Sequence, residues 1–203
     1  MGKQKAAFKS GNELAAQAAS DINYHVMAYF PISPSTEIAQ NLDMMYANGQ
    51  NQVHLLPTDG EHQSMGACYG AALSGARVFN ATSSNGLAYM IEQLPVISAT
   101  RYPMVLNLVN RAISAPLNIH CDHSDLYMTL DSGWVTLNAS TPQAVYDQNI
   151  IALKVSENKK VLLPTIVSYD GYITSHQKHN VEIFEDSKSV RDFVGEVPVK
   201  TPL

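Results

Sequence analysis

The chain has 203 residues, of which 45% are hydrophobic and 15% are charged, and its formal net charge is −5. This composition is typical of a folded globular protein and excludes a disordered chain, which combines low hydrophobicity with high net charge. The acidic balance and the scattered Lys and Arg residues also exclude the basic surface expected of a nucleic-acid-binding protein.

The few cysteines and the absence of long apolar runs restrict the cellular setting. Cys68 and Cys121 are far apart in the sequence, which argues against a disulfide-rich secreted protein and against a CxxC metal or iron–sulfur site. The N-terminal residues lack the apolar segment of a signal peptide, and no apolar run has the length of a membrane span. We therefore expect a cytoplasmic protein that binds neither nucleic acid nor a membrane.

Apolar strands and helical patterns alternate along the chain. Periodic apolar residues and small-residue runs predict helices, and short apolar runs predict strands. In chain order the sequence predicts helix 11–24, strand 25–30, helix 36–49, strand 52–57, helix 61–75, strand 76–82, helix 86–99 with a bend or restart at Pro95, strand 103–110, irregular segment 111–133, strand 134–139, a helix capped by Thr141 that ends near Glu157, and strand 160–171.

This alternation predicts the fold class. Repeated strand–helix units give an α/β fold with a doubly wound, mainly parallel sheet and helices on both faces. We assign residues 1–190 to one domain and residues 191–203 to a C-terminal linker or tail.

Polar residues directly follow four of the predicted strands. These segments are 31–35, 58–61, 82–85 and 110–111. In open parallel sheets the carboxyl ends of the strands meet at one edge, and ligands bind there. The sequence therefore predicts a shared pocket at this edge, although polar loops of this kind occur in every α/β protein.

Glu61 and Arg111 are the most informative charged residues of these loops. Glu61 begins a helix that is otherwise nearly free of charge, so it is either an acid stabilised by the helix dipole or a carboxylate that faces a ligand. Asp59 is predicted to cap that helix. Arg111 ends an uncharged run and either lies on the surface or supplies the forked donor that binds a carboxylate.

The segment "HCDHSD" at 120–125 contains several potential metal ligands. His120, Cys121 and His123 lack the spacing of a closed zinc site, so a hydrogen-bonded loop is favoured. The sequence has no GxSxG, GxGxxG or GxxxxGK[ST] motif, which argues against a hydrolase nucleophile elbow and against Rossmann and P-loop nucleotide sites.

An ordered set of motifs resembles the pyruvate/2-oxoacid:ferredoxin oxidoreductase family, specifically the N-terminal domain of its alpha subunit. The motifs are "YFPISPSTE" (29–37), "GEHQSMGACYGAALSGARVFNATSSNGL" (60–87), "NRAISAPLNIHCDHSD" (110–125), "YDGYITSH" (169–176) and "VRDFVGE" (190–196). The resemblance covers residues 11 to 196, and the order and spacing of the motifs agree with the family. The resemblance implies the pyrimidine-binding domain of a thiamine diphosphate enzyme. Such enzymes decarboxylate a 2-oxoacid oxidatively, pass electrons through iron–sulfur clusters to ferredoxin and usually form an acyl-CoA.

The resemblance also implies roles for individual residues. Glu61 matches the family glutamate that hydrogen-bonds the aminopyrimidine ring and promotes loss of the thiazolium proton. Arg111 matches the arginine that binds the substrate carboxylate, and Ser33 replaces a threonine that contacts substrate. The implied catalytic residues are thus Glu61 and Arg111, and the implied cofactor contacts are Glu61, Pro31, Ser84 and Asn85.

Motifs that are absent from this sequence imply partner chains. The family's GDG…N motif, which holds the diphosphate and Mg²⁺, does not occur, and two cysteines cannot hold the [4Fe-4S] clusters. We therefore expect the chain to share thiamine diphosphate with a subunit that binds the diphosphate and Mg²⁺, and to work with a ferredoxin-like iron–sulfur subunit. It is then a small subunit or a fragment of a longer chain, inactive alone. The alternative is a non-catalytic assembly module, which the presence of Glu61 and Arg111 disfavours.

Overall fold

The computed structural model describes residues 2–198, in which strands and helices alternate as predicted. The strands are Gln4–Lys9 (β1), Val26–Tyr29 (β2), His54–Pro57 (β3), Val78–Thr82 (β4), Val105–Asn110 (β5), Val135–Ala139 (β6), Thr165–Asp170 (β7) and His179–Phe184 (β8). The helices are Gly11–Ile22 (α1), Thr36–Ala47 (α2), Glu61–Leu73 (α3), Ser84–Met90 (α4), Gln93–Ala99 (α5), Ser124–Tyr127 (α6), Pro142–Ser156 (α7), Ile173–His176 (α8) and Ser187–Val194 (α9).

Six strands form one parallel sheet in the order β3-β2-β4-β5-β7-β6. From β2 the chain crosses to β3 on one side, and from β4 it crosses to β5 on the other side. The connections therefore diverge between β2 and β4, which leaves a crevice at the carboxyl ends of these two strands. This topology confirms the predicted parallel α/β sheet.

Two apolar cores cover the two faces of the sheet. One core contains Leu14 of α1, Ile38 of α2 and Tyr146 of α7, and the other contains Met65 of α3 and Leu94 of α5. The residues of β4 and β5 are buried throughout, as expected of strands that are covered on both faces. The predicted doubly wound arrangement is confirmed.

Local sequence signals explain several helix ends. Ser10 and Glu13 form a reciprocal capping box at the start of α1. Thr141 accepts a hydrogen bond from the backbone of Ala144 and Pro142 opens α7, as predicted. None of the helices in residues 2–198 is both long and apolar enough to cross a membrane.

The structure adds a small sheet that the sequence did not predict. Strands β1 and β8 pair antiparallel, with Gln4 opposite Phe184 and Lys9 opposite His179. Most residues of β1 are exposed or half-buried, so their composition gives no clear apolar alternation. The pairing joins segments more than 160 residues apart, which no local pattern indicates.

The predicted tail at 191–203 begins inside a helix. Residues 191–194 belong to α9, and Val190 and Val194 of this helix are buried in the core that contains α1 and α7. Their helical spacing lets both side chains face the core. Residues 191–194 are therefore not part of a tail. Residues 199–203 of the predicted tail lie outside the described part of the chain. The assignment of residues 1–190 to one domain stays a prediction.

The predicted helix 86–99 consists of two helices. Helix α4 ends at Met90 and α5 begins at Gln93, so the predicted restart is confirmed two residues before Pro95. Pro95 occupies the first turn of α5, where a backbone N–H has no partner within the helix.

Candidate functional site

The four polar loops meet at the carboxyl edge of the parallel sheet, as the sequence predicted. The hydroxyl of Thr58 donates to the Tyr29 carbonyl over 3.1 Å, which ties the loop after β3 to β2. Arg111 Nη1 donates to the Ser33 carbonyl over 2.8 Å, which ties β5 to the loop after β2. The crevice between β2 and β4 is therefore bordered by all four segments.

Glu61 is a buried acid at the first position of α3. Only 8% of the residue is exposed, and its carboxylate has no hydrogen-bond or ion-pair partner among the described residues. Gly60, not Asp59, is the N-cap residue, and no side chain in residues 2–198 caps the helix, so the predicted capping role of Asp59 is wrong. A carboxylate that is buried without a partner is costly, which indicates a ligand rather than helix stabilisation alone.

Gly86 allows Glu61 and the end of β4 to approach each other. A Cβ atom at Gly86 would lie 2.5 Å from Thr82 Oγ1 and 2.7 Å from Glu61 Oε1. Both distances are far below a van der Waals contact. The Glu61 carboxylate and the Thr82 hydroxyl therefore border the same small space, which only glycine leaves open.

Three buried polar atoms of the loops at this edge of the sheet have no partner among the described residues. Thr82 Oγ1, Ser83 Oγ and Arg111 Nε are all buried and form no hydrogen bond within residues 2–198. Buried polar groups in folded proteins are normally paired. Thr82 and Ser83 were not singled out from the sequence as cofactor contacts, although both lie in the "ATSSNGL" loop.

Arg111 is a buried cation, which excludes the interpretation that it lies on the surface. Only 7% of the residue is exposed, and in the described part of the chain its guanidinium group forms no ion pair. One nitrogen is held by the Ser33 carbonyl and Nε is free. A buried guanidinium with an unused donor is suited to an anion such as a carboxylate.

The loop after β2 is held from both of its sides. Asn12 Nδ2 donates to the Pro34 carbonyl over 2.9 Å, and the Ser35 hydroxyl donates to the Ile32 carbonyl. The Ser33–Pro34 peptide bond is cis, and α2 begins only at Thr36. Ser33 and Pro34 therefore lie in a turn before the helix. Pro31 and Ser33 are exposed on this loop.

Ser84 and Asn85 connect the loop after β4 to the segment after β5. Ser84 is fully buried with φ of 49°, and its hydroxyl donates to the Ala112 carbonyl over 2.5 Å. Asn85 is exposed, and its Oδ1 accepts from the Ser114 amide over 2.9 Å. Their predicted cofactor contact stays a prediction, but both side chains already bond within the chain, whereas those of Thr82 and Ser83 do not.

The "HCDHSD" segment is a hydrogen-bonded loop, as predicted. The His120 carbonyl accepts from Ala112 N, and Ser124 Oγ accepts from Ile113 N. Among the described residues no group of three His, Cys, Asp or Glu side chains is arranged to hold a metal. Burial and a hydrogen bond with Asp170 raise the pKa of the Cys121 thiol to about 11, so this residue is a neutral thiol near pH 7.

Comparisons with known proteins agree with the motif resemblance. Residues 17–200 match the family model described as pyruvate flavodoxin/ferredoxin oxidoreductase, thiamine diP-bdg. Pyruvate synthase subunit PorA of Thermotoga maritima is 43% identical over 96% of this chain and 49% of its own length. Ketoisovalerate oxidoreductase subunit VorA of Pyrococcus horikoshii is 40% identical over 82% of this chain and 42% of its own length. The chain spans about half the length of the curated relatives it matches.

A solved structure supports the fold. The 2-oxoglutarate:ferredoxin oxidoreductase from Magnetococcus marinus, with 2-oxoglutarate, coenzyme A and succinyl-CoA bound, covers 91% of this chain with a TM-score of 0.79. The match covers 32% of that chain at 22% sequence identity, so it is informative about fold alone. From the family match and the identity to PorA, we conclude that the chain belongs to the thiamine diphosphate-binding domain family of the pyruvate flavodoxin/ferredoxin oxidoreductases.

Proposed function

We propose that the chain supplies the pyrimidine-binding half of the active site of a thiamine diphosphate-dependent 2-oxoacid:ferredoxin oxidoreductase. The names of its relatives, pyruvate synthase and ketoisovalerate oxidoreductase, support a 2-oxoacid as substrate. The observation that carries the proposal is the buried, unpartnered carboxylate of Glu61 beside the unpartnered hydroxyl of Thr82.

The free polar atoms of the site suit an aminopyrimidine ring, which has both hydrogen-bond donors and acceptors. Glu61 would bond the ring, the hydroxyls of Thr82 and Ser83 would bond its polar atoms, and the Pro31 backbone would lie against it. When bound, thiamine diphosphate supplies the thiazolium carbon that attacks the carbonyl of the 2-oxoacid. Ser84 and Asn85 support this wall of the site through their bonds to the segment after β5.

Glu61 acts as the proton-transferring group of this half-site. Its carboxylate has no competing donor among the described side chains, so it is available to hold a proton shared with the cofactor. Only 8% of the residue is exposed, so little of its surface is open to water that would compete for the carboxylate. This role explains why an acidic residue stands at the start of α3, a helix that is otherwise nearly free of charge.

Arg111 and Ser33 form the substrate-binding part of the half-site. Arg111 binds the carboxylate that all 2-oxoacids share, through the donors that the Ser33 carbonyl leaves unused. Ser33 lies exposed on the adjoining loop and contacts the substrate. Because Arg111 contacts only the carboxylate that all 2-oxoacids share, it does not select among 2-oxoacids.

The remaining parts of the enzyme lie on partner chains in this proposal. One partner binds the diphosphate and Mg²⁺, and a ferredoxin-like subunit carries the [4Fe-4S] clusters that pass electrons to ferredoxin, with an acyl-CoA as product. The alternative is an assembly module without catalytic residues. Among the described residues the buried Glu61 carboxylate has no partner and the buried Arg111 guanidinium has no ion pair and a free Nε. Both features favour the catalytic function, because an assembly module gains nothing from either.

Reconstitution with the partner subunits tests the proposal. We expect 2-oxoacid-dependent reduction of a dye by the complex and none by the chain alone. Glu61→Gln should abolish turnover, whereas Arg111→Ala should raise the KM for the 2-oxoacid and lower kcat/KM. Glu92→Gln is a matched control, because Glu92 is exposed and pairs with His62, the residue after Glu61. Full activity of the Glu61→Gln complex would overturn the proposal.

A further inference from the structure

We propose that Asp125 is a positioning residue, which holds the Arg111 and Ser84 segments in register at the carboxyl edge of the sheet. The inference rests on the proposed function, since it assigns a substrate-binding role to Arg111. Asp125 belongs to the "HCDHSD" loop and is not among the site residues predicted from the sequence.

The carboxylate of Asp125 is completely buried and accepts four hydrogen bonds. Oδ2 accepts from Ser84 N and from Arg111 N, both over 3.0 Å. Oδ1 accepts from Asn110 Nδ2 and from Leu126 N, both over 2.8 Å. One oxygen therefore joins the backbones of two loops that carry candidate site residues.

This bridge begins where the sheet ladder ends. The last paired residues of β4 and β5 are Thr82 and Leu108. Beyond them the chain of β4 turns into α4, so Ser84 N and Arg111 N have no partner in the β4–β5 ladder. A single carboxylate oxygen replaces the missing ladder bonds and fixes the separation of the two segments.

A second set of bonds fixes the carboxylate itself. The Ser168 hydroxyl in β7 donates to Asn110 Oδ1 over 2.7 Å, which orients the Asn110 amide so that its Nδ2 faces Asp125. All four neighbours of the carboxylate are N–H donors, so an acceptor-only group fits the position. The bonds from Ser168 and Asn110 thereby fix the Asp125 carboxylate relative to the sheet. The fixed carboxylate in turn holds the backbone of Arg111 through its bond from Arg111 N.

The backbone of Ser84 explains why an external acceptor is needed. Ser84 is a non-glycine residue with φ of 49°, a left-handed conformation that costs free energy. Its N–H bonds Asp125 and its hydroxyl bonds Ala112, the residue after Arg111. Both bonds hold the start of α4 close to the Arg111 segment. Asp125 and Ser84 therefore stabilise the same arrangement of these two segments.

Two variants of Asp125 separate positioning from general stability. Asp125→Ala removes the acceptor of both backbone amides. Asp125→Asn keeps one oxygen for them. Its amide nitrogen loses the bond from Leu126 N, and it bonds Asn110 only if the Asn110 amide flips and Ser168 Oγ becomes an acceptor. We expect Asp125→Ala in the reconstituted complex to raise the KM for the 2-oxoacid about tenfold or more, with a smaller change in kcat. Asp125→Asn should have a KM between those of Asp125→Ala and wild type, because it keeps the acceptor of both backbone amides. Asp122→Asn, an exposed residue of the same loop, should match wild type.

Amide hydrogen exchange gives a readout that does not depend on activity. In Asp125→Ala we expect faster exchange in peptides that contain Ser84 and Arg111, with β7 unchanged. Exchange that rises evenly over the chain, a wild-type KM in a folded Asp125→Ala complex, or an Asp125→Asn variant no better than Asp125→Ala would each overturn the positioning role.

The controls distinguish this proposal from the proposed function. If Glu61→Gln keeps full turnover, the proposed function fails, while the exchange measurement still decides whether Asp125 holds the two segments. If Glu61→Gln abolishes turnover but Asp125→Ala leaves the KM and the exchange unchanged, the Asp125 proposal fails alone.

Discussion

Two charged side chains, Glu61 and Arg111, are almost wholly buried in the protein, and neither has a partner of opposite charge in the described residues. Folding normally pairs such groups because an isolated charge in a dry environment is strongly destabilising. The presence of these two charges is explained if a cofactor binds to the Glu61 carboxylate and an anionic substrate binds to the Arg111 guanidinium. The same reasoning applies to the free hydroxyls of Thr82 and Ser83.

Gly86 offers a test of the space between these groups. Gly86→Ala would place a methyl group 2.7 Å from Glu61 Oε1 and 2.5 Å from Thr82 Oγ1, so one of the two side chains must move. We expect the reconstituted complex to lose at least about tenfold in kcat/KM, because misplaced catalytic groups are costly. Steady-state assays of dye reduction measure this loss.

Gly70→Ala is the matched control for that substitution. Gly70 lies in the same helix as Glu61, and a Cβ atom there meets nothing within 4 Å. We expect this change to leave activity intact and to stabilise α3 by about 0.5–1 kcal/mol. Equal activity of the Gly86→Ala and Gly70→Ala complexes would show that the space beside Glu61 is not used.

At the scale of elements, helix α1 connects the large sheet to the small one. Its capping-box residue Glu13 accepts from Ser10 N over 2.8 Å and from Lys178 Nζ, next to β8, over 2.9 Å. Burial alone would raise the pKa of Glu13, but the bonds from Lys178 and Ser10 outweigh it and lower the pKa. A lowered pKa means that the ionised form stabilises the folded state.

The stability of Glu13→Gln should depend on pH. The contribution of Glu13 is fully present above the ordinary glutamate pKa of about 4.3 and is lost as pH falls through its lower folded-state pKa. Because glutamine keeps the capping-box bond to Ser10 N, we expect Glu13→Gln to cost about 0.2–1 kcal/mol at pH 7, the range for a partly exposed ion pair, and less below pH 4. Urea unfolding of the variant and of Glu185→Gln, an exposed control, measures this difference. A cost that grows toward low pH would contradict the assignment.

The order of elements was predictable from the sequence because each strand of the parallel sheet is a local apolar run. The positions of Glu61 and Arg111 followed from the same runs, since residues at strand ends must meet at one edge. The β1–β8 pairing was not predictable, because it depends on register between distant and mostly exposed segments. Asp125 was missed for a similar reason: its four donors come from three separate parts of the chain.

At the scale of the whole molecule, a buried ion pair fixes the end of α9. Arg77 donates from Nε and Nη2 to the two oxygens of Glu157 over 2.8 and 2.7 Å, and also to the Gly195 carbonyl over 2.7 Å. Both charged side chains are only 7% exposed. The segment that follows α9 is thereby held against the start of β4, at the opposite edge of the sheet from the candidate site.

Breaking this pair from one side should be strongly destabilising. Glu157→Ala leaves the Arg77 charge buried without a carboxylate, and we expect a loss of about 3–5 kcal/mol in the free energy of unfolding. Arg77→Met combined with Glu157→Leu should recover most of that loss, because neither charge remains. Denaturant unfolding of the single and double variants checks this, and a double variant as unstable as Glu157→Ala would contradict the explanation.

The chain belongs to a family of thiamine diphosphate-binding domains and spans about half of its curated relatives. The central claim is that Glu61 promotes loss of the thiazolium C2 proton of thiamine diphosphate bound between this chain and its partner. The most direct test is the rate at which that proton exchanges with D₂O in the assembled complex, followed by NMR after acid quenching. We predict that Glu61→Gln slows the exchange by a factor of about 10²–10⁴, the usual range for removal of a general acid–base group. An exchange rate equal to wild type in a complex that binds the cofactor would contradict the claim.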